Sequence, residues 1–145
     1  MTDLVKAASA AAWVRAFARL VAEHEDELTR LDAAIGDADH GANMRRGLTA
    51  AVDALDRGER WASPGPLLAS TGTTLISAIG GAAGPLFGTF FLRMGDALHD
   101  PADVGSLAVA LRAGLDGVVE RGKAEPKDKT MYDALRPAVD AVQKC

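Results

Sequence analysis

The sequence predicts an all-α protein, and three observations carry that expectation. Apolar residues make up 48% of the chain but aromatic ones only 5%. The apolar bulk is therefore alanine, leucine and valine, and alanine is the best helix former, with a side chain small enough to let helices approach closely. Strictly alternating β-branched runs, the mark of a half-buried strand, are absent. Apolar residues recur instead at helical spacing in successive segments, separated by glycine, proline or clustered acidic residues. The 145 residues fit one domain with a sizeable core.

About six helices follow from this pattern. From about Asp3 to Leu28, residues Ala8, Ala12, Phe17, Leu20, Val21, His24 and Leu28 fall near one face, with Arg15, Arg19, Glu23, Glu25 and Asp26 mostly elsewhere. His24 on that stripe reads as a histidine at the edge of the core. A second helix runs from about Ala42 to Asp56, burying Met44, Leu48, Ala51, Val52 and Leu55, with Gly58 as its C′ residue. Ser63-Pro64 is a start signal, an N-cap serine followed by proline in the first turn. The helix it opens passes through Leu67, Leu68, Thr71, Leu75 and Ile79 and stops at Gly80-Gly81. A fourth helix spans Pro85 to about Leu98, and Asp100-Pro101 is a break. A fifth runs from about Pro101 to Val119 with Val104, Leu107, Ala108, Leu111, Leu115 and Val118 on its apolar face. The last covers about Thr130 to Val142.

Three connecting segments are chemically unusual. In Leu31-Asp32-Ala33-Ala34-Ile35-Gly36-Asp37-Ala38-Asp39-His40-Gly41-Ala42-Asn43, three aspartates crowd into a stretch too short for a helix of its own. Gly36 and Gly41 bracket the cluster and permit positive φ, so the backbone can turn tightly and aim side chains inward. Like charges so close repel unless a cation stands between them. Hard, short oxygen ligands suit Mg²⁺, which takes its remaining ligands from water and substrate phosphates. The plainer alternative is an acidic loop in which Asp39 or Asn43 caps the following helix. A calcium-binding EF-hand is excluded, because the bidentate glutamate required at the twelfth loop position is Leu48 here.

The second segment, Gly80-Gly81-Ala82-Ala83-Gly84-Pro85-Leu86-Phe87-Gly88, has an almost bare backbone leading into a helix. Such a segment points N–H groups at an anion; its alternative is a tight corner between closely packed helices. No Gly-Lys-Ser/Thr follows, which excludes a P-loop. The third, Arg121-Gly122-Lys123-Ala124-Glu125-Pro126-Lys127-Asp128-Lys129-Thr130-Met131, is charged and broken by glycine and proline, as a solvated loop would be.

The net charge of −4 and pI near 5.3, with no basic cluster larger than Arg45-Arg46, argue against nucleic acid as a partner. Cys145 is the single cysteine, so no internal disulfide forms. No apolar run is long enough to span a bilayer, and the start of the chain lacks the form of a signal peptide. These features predict a soluble, cytoplasmic protein without membrane contact.

Taken together, the three segments resemble the signatures of the dihydroxyacetone kinase L subunit family. Leu31-Asp32 with Gly36-Asp37-Ala38-Asp39-His40-Gly41-x-Asn43-Met44 is similar to its metal motif. Gly80 to Phe91 resembles the second signature, and Arg121 to Pro126 with Asp128-Lys129-Thr130-Met131 the third. They occur in the family's order across nearly the whole chain. The resemblance implies an antiparallel barrel of amphipathic helices with ADP or ATP and two Mg²⁺ at one end. It implies Asp32, Asp37 and Asp39 as metal ligands, and His40, Gly41, Ala42 and Asn43 as contacts to nucleotide and phosphates. Gly81, Ala82 and Ala83 match the phosphate-side loop, and Gly122 and Met131 match residues near the adenine. Where many members carry a phosphate-bonding serine, this chain has Ala83, which leaves backbone N–H groups for that contact.

The implied chemistry is phosphoryl transfer from bound nucleotide to dihydroxyacetone held on a separate K subunit. In phosphotransferase-dependent members an M subunit rephosphorylates ADP in place, and a free-standing chain favours that type. Members of the family extend further, so residues 1–145 are expected to form a single nucleotide-binding domain lacking its C-terminal part, with a homodimer as one way of covering apolar surface. The rival expectation is a non-catalytic nucleotide-binding module that regulates a partner such as a transcription activator.

Overall fold

The computed structural model describes residues 4–34, 36, 38–57, 61–123 and 130–145. Among the described residues there are seven helices and no strand: α1 (Ala7–Glu23), α2 (Glu25–Ala33), α3 (His40–Asp56), α4 (Pro64–Ala78), α5 (Ala83–Ala97), α6 (Val104–Gly122) and α7 (Met131–Gln143). The all-α expectation holds. None of these helices is long and apolar enough to cross a membrane.

Local chemistry sets most boundaries. Pro64 opens α4 at its first turn, as expected, although the Ser63 side chain makes no capping hydrogen bond. Thr130 caps α7, its hydroxyl accepting from Tyr132 N. The helix expected from Pro101 begins instead at Val104, because Asp103 caps it by accepting from Ser106 N at 2.8 Å. Gly58, expected as a C′ residue, lies outside the described residues.

The long first helix is two helices. The chain turns at His24, which closes α1 and opens α2. His24 is not at the edge of the core: it is exposed, and its Nδ1 lies 3.0 Å from Glu27 Oε2. The buried face of α1 is Ala10, Val14 and Val21, with Phe17 half-buried, while Ala8, Ala12 and Leu20 are exposed. Alanine on several sides of this helix blurs its periodicity, so the expected stripe is rotated from the real one.

Successive helices from α3 to α7 pack antiparallel, and α1 lies against α3 and α4. The closest pairing is α4 with α5, and two glycine pairs create it. A Cβ on Gly72 would stand 2.5 Å from Gly88 O, and one on Gly88 would stand 2.8 Å from Gly72 O. Gly65 and Gly95 repeat the relation seven residues along each helix, at 2.9 and 2.5 Å. With no side chain at the crossing, the two backbones touch. Inside the bundle, Val14, Met44, Leu48, Leu67, Leu75, Met94 and Val118 are almost fully buried. Trp13 and Phe17 of α1 join Phe87 and Phe91 of α5 through ring contacts, with Trp13–Phe91 at 5.3 Å and Phe17–Phe87 at 5.9 Å between centroids, and Phe90 packs edge-on against Phe91 within α5.

This topology sorts the loops. α2 ends, α3 begins, α4 ends, α5 begins, α6 ends and α7 begins at one end of the bundle. The three unusual segments of the sequence are therefore neighbours in space.

Candidate functional site

The acidic segment is shaped by Asp32. This residue lies in the last turn of α2, and its Oδ2 accepts from Asp39 N at 3.0 Å and His40 N at 3.2 Å. A side chain from the preceding helix thus caps α3, in place of the Asp39 or Asn43 cap that the sequence alone admitted. Asp39 makes no side-chain capping bond. Asp32 Oδ1 faces Gly36, where a Cβ would collide with it. The carboxylate therefore presents one oxygen to the α3 amides and the other to the loop, in the positive field of the α3 N-terminus.

The glycines of this loop act differently from expectation. Neither Gly36 nor Gly41 has positive φ; the left-handed residue is Ala38, at φ 61°. Gly36 makes room for the Asp32 carboxylate. Gly41 is buried, and a Cβ there would meet Glu25 O and, at 2.5 Å, Thr29 Oγ1. It is the point at which α3 touches α2, so its part in the site is to seat the helix. Arg45 strengthens the same junction by pairing with Glu25 at 2.7 Å.

Asp39 is exposed and His40 half-buried at the mouth of this turn, and Ala42 is exposed in the first turn of α3. Asp37 lies outside the described residues. Among the described residues no three acidic, histidine or cysteine side chains form a metal-holding group. The described donors are thus the two aspartates, Asp32 and Asp39, held by one turn. Carboxylate oxygens of this kind are the hard ligands that Mg²⁺ takes, and on that ground the residues present fit the ion.

Asn43 follows one turn along α3, its Oδ1 accepting from Arg46 Nη2 at 2.7 Å. Arg46 Nε also donates to Ala78 O, at 3.4 Å, in the last turn of α4. The α4–α5 turn sits directly alongside: a Cβ on Gly80 would lie 3.8 Å from both amide atoms of Asn43 and from Arg46 Nη2. Gly81 has φ 67°, and nothing lies within 4 Å of where its Cβ would be, so its backbone faces open space. Ala82 caps α5 through its backbone, and Ala83 is the first residue of the helix. The N-termini of α3 and α5, both electropositive, thus flank one opening.

Gly122 ends α6, where a Cβ would stand 2.9 Å from Leu86 Cδ2 in the first turn of α5. Met131 opens α7 and, with Leu86, packs half-buried against the core. Lys123 takes the left-handed cap position at φ 51°. The structure thus brings Asp32, Asp39, His40, Ala42, Asn43, Gly81, Ala82, Ala83, Gly122 and Met131 to one end, with Gly41 behind them as a packing residue. Sequence reasoning missed Arg46 and Leu86. Arg46 had a signal: it stands three residues after Asn43, the spacing at which helical side chains meet.

Comparison with known proteins bears on the family and the fold. The family model described as the DAK2 domain matches residues 34–145. The chain is 42% identical over 138 residues to the ADP-binding subunit DhaL of the PEP-dependent dihydroxyacetone kinase of Escherichia coli (strain K12), covering 91% of this chain and 63% of that protein. It is 35% identical over 135 residues to the D-erythrulose kinase of Mycolicibacterium smegmatis, covering 89% of this chain and 23% of that one. Among solved structures, the dihydroxyacetone kinase of C. freundii in complex with AMP-PNP and Mg²⁺ superimposes with a TM-score of 0.81 at 29% identity, over 98% of this chain and 26% of that one. The chain therefore spans under two thirds of the length of the E. coli relative and about a quarter of the two kinases. With a family model covering most of its length and a fold shared with a solved kinase, this chain belongs to the DAK2 domain family.

Proposed function

We propose that this chain is the nucleotide-binding L subunit of a dihydroxyacetone-type kinase, holding Mg-ADP or Mg-ATP at the α3/α5 end of the bundle. The observation that carries the reading is the placement of an aspartate turn and a bare glycine turn side by side at two helix N-termini. Carboxylates suit a cation, and helix N-termini with accessible amides suit an anion; a magnesium nucleotide is both.

In this reading Asp32, Asp37 and Asp39 supply oxygen ligands for two magnesium ions. His40, Asn43 and the first-turn amides of Ala42 face the phosphates from α3. Gly81, Ala82 and Ala83 face them from the other side through backbone N–H groups, the alanine at position 83 leaving no hydroxyl. Gly122, Leu86 and Met131 form the apolar wall for the base. Bound Mg²⁺ neutralises and orients the phosphate oxygens, which is most of what phosphoryl transfer requires. The chain's own residues fix the nucleotide and leave its terminal phosphate facing outward; no nucleophile is needed from them.

The acceptor, dihydroxyacetone, is then held on a partner K subunit. The 42% identity to a PEP-dependent subunit favours a phosphotransferase M subunit as the phosphate source. The regulatory module is not favoured, since the relatives matched are kinase subunits and kinases. The test is to mix the purified chain with K and M subunits, phosphoenolpyruvate and the other phosphocarrier proteins, and follow dihydroxyacetone phosphate. Transfer that depends on this chain is expected. Absence of both transfer and Mg-ADP binding would overturn the reading.

A further inference from the structure

We infer that Arg46 is a positioning residue that sets which end of the Asn43 amide faces the nucleotide. The inference rests on the proposed function, which places Asn43 against the phosphates. A carboxamide has an acceptor end and a donor end of nearly the same shape. Turned one way it attracts a phosphate; turned the other way it repels one. A guanidinium carries five donors and no acceptor, so the amide end facing Arg46 must be the oxygen. Arg46 Nη2 does meet Asn43 Oδ1, at 2.7 Å. That leaves the Nδ2 protons unengaged by Arg46, on an amide whose two ends both lie 3.8 Å from the point where a Cβ of Gly80 would be, beside the opening.

Arg46 is itself held. Its Nε donates to Ala78 O, in the last turn of α4, where exposed carbonyls and the helix dipole favour a cation. The register of α3 against this corner is fixed by the next residue, since a Cβ on Gly47 would drive into the Ile79 side chain. One side chain thus links the helix bearing the amide to the corner that carries the glycine turn. The adjacent Arg45 points to α2 and pairs with Glu25, so the two arginines serve different junctions.

An alternative is that Arg46 acts only by its charge. A double-mutant cycle on Mg-ADP affinity, measured by calorimetric titration, separates the two. Arg46→Met and Asn43→Ala are each expected to weaken binding roughly tenfold, the scale of one charge-assisted hydrogen bond. If Arg46 works through Asn43, the double variant binds no worse than Asn43→Ala alone. Arg46→Lys, which also offers only donors, is expected to recover most of the affinity, a rescue that lost packing alone would not produce. Thermal melting of each ligand-free variant checks that the fold persists; should Arg46→Met unfold, the cycle is run with Arg46→Ala. Equal losses from Arg46→Met with and without Asn43, or wild-type affinity in Arg46→Met, would overturn the inference while leaving the nucleotide site in place. A wild-type chain that does not bind Mg-ADP would instead overturn the functional reading, and this inference with it.

Discussion

Asp32 and Asp39 carry the same group but hold different parts of the structure, so their variants separate two effects. Asp32 caps α3 with one oxygen, accepting from two backbone amides, whereas the Asp39 side chain caps nothing. Asp39→Ala is expected to lose at least tenfold in Mg-ADP affinity while its stability without ligand stays within about 0.5 kcal/mol of wild type. Asp32→Ala is expected to lose affinity as well and to cost about 1 kcal/mol, the usual value of a lost cap. Urea melts paired with Mg-ADP titrations check both halves. A destabilised Asp39→Ala, or an Asp32→Ala variant as stable as wild type, would contradict the assignment of the cap. A third aspartate, Asp103, has a separate task at the start of α6. The Ser106 amide and hydroxyl hold its carboxyl below the ordinary value of 3.8. A group whose folded pKa is depressed adds stability above its unfolded pKa and loses it as pH falls through the folded value. Wild type is therefore expected to shed more melting temperature than Asp103→Asn once the pH drops below about 4, and the two are expected to run parallel from there to neutrality.

At the level of elements, the α4–α5 contact should be the least tolerant of added volume. Both backbones meet at Gly72 and Gly88 with nothing flexible between them, so a methyl group cannot be absorbed by a rotamer change. Gly72→Ala is expected to cost about 3 kcal/mol, the upper part of the range for overpacking. Gly105 is the control. Its added Cβ would meet only Asp103 Oδ1, at 3.5 Å, and Gly105→Ala in α6 should raise stability by about 0.5 kcal/mol. Chemical denaturation of the two variants should move in opposite directions. The seven-residue spacing of both glycine pairs is plain in the sequence, yet which glycine opposes which depends on α4 and α5 running antiparallel. Local chemistry reads well: Ser63-Pro64 and Thr130 mark real helix starts. Asp32 reads poorly as a cap because the amides it serves are seven and eight residues away. His24 breaks the first helix where polar residues on both sides continue a helical composition, and nothing local distinguishes that break.

On the scale of the whole molecule, the acidic turn, the glycine turn and the start of α7 are distant in sequence and meet only because the helices alternate in direction. Their meeting was legible through the three motifs and their order. The arginine that links two of them was not, since it belongs to no loop and becomes meaningful only when Ala78 and Gly80 are seen beside it.

A ligand that binds there touches several helices at once, so it should stabilise them as a unit. Binding confined to the folded state adds RT ln(1 + [L]/Kd), about 2.7 kcal/mol at a hundredfold excess over Kd. For a chain of this size each kcal/mol raises the melting temperature by about 2–4 °C, so the expected rise is roughly 6–10 °C. The proposed site makes this rise conditional on two components. Nucleotide alone brings phosphates towards the aspartates without a cation between them, and the like charges repel. Magnesium alone finds carboxylates but no phosphate oxygens to complete its octahedron, and it surrenders its waters reluctantly. Each by itself should move the melting temperature little, and together they should produce nearly the whole shift. Substituting Arg46→Met should then shrink the joint shift, measured from the variant's own ligand-free melting point, because the amide it orients meets phosphate only when both components are present. A shift of equal size with Ca²⁺ and no nucleotide would reduce the site to a simple cation loop, and the glycine turn beside it would have no part in binding.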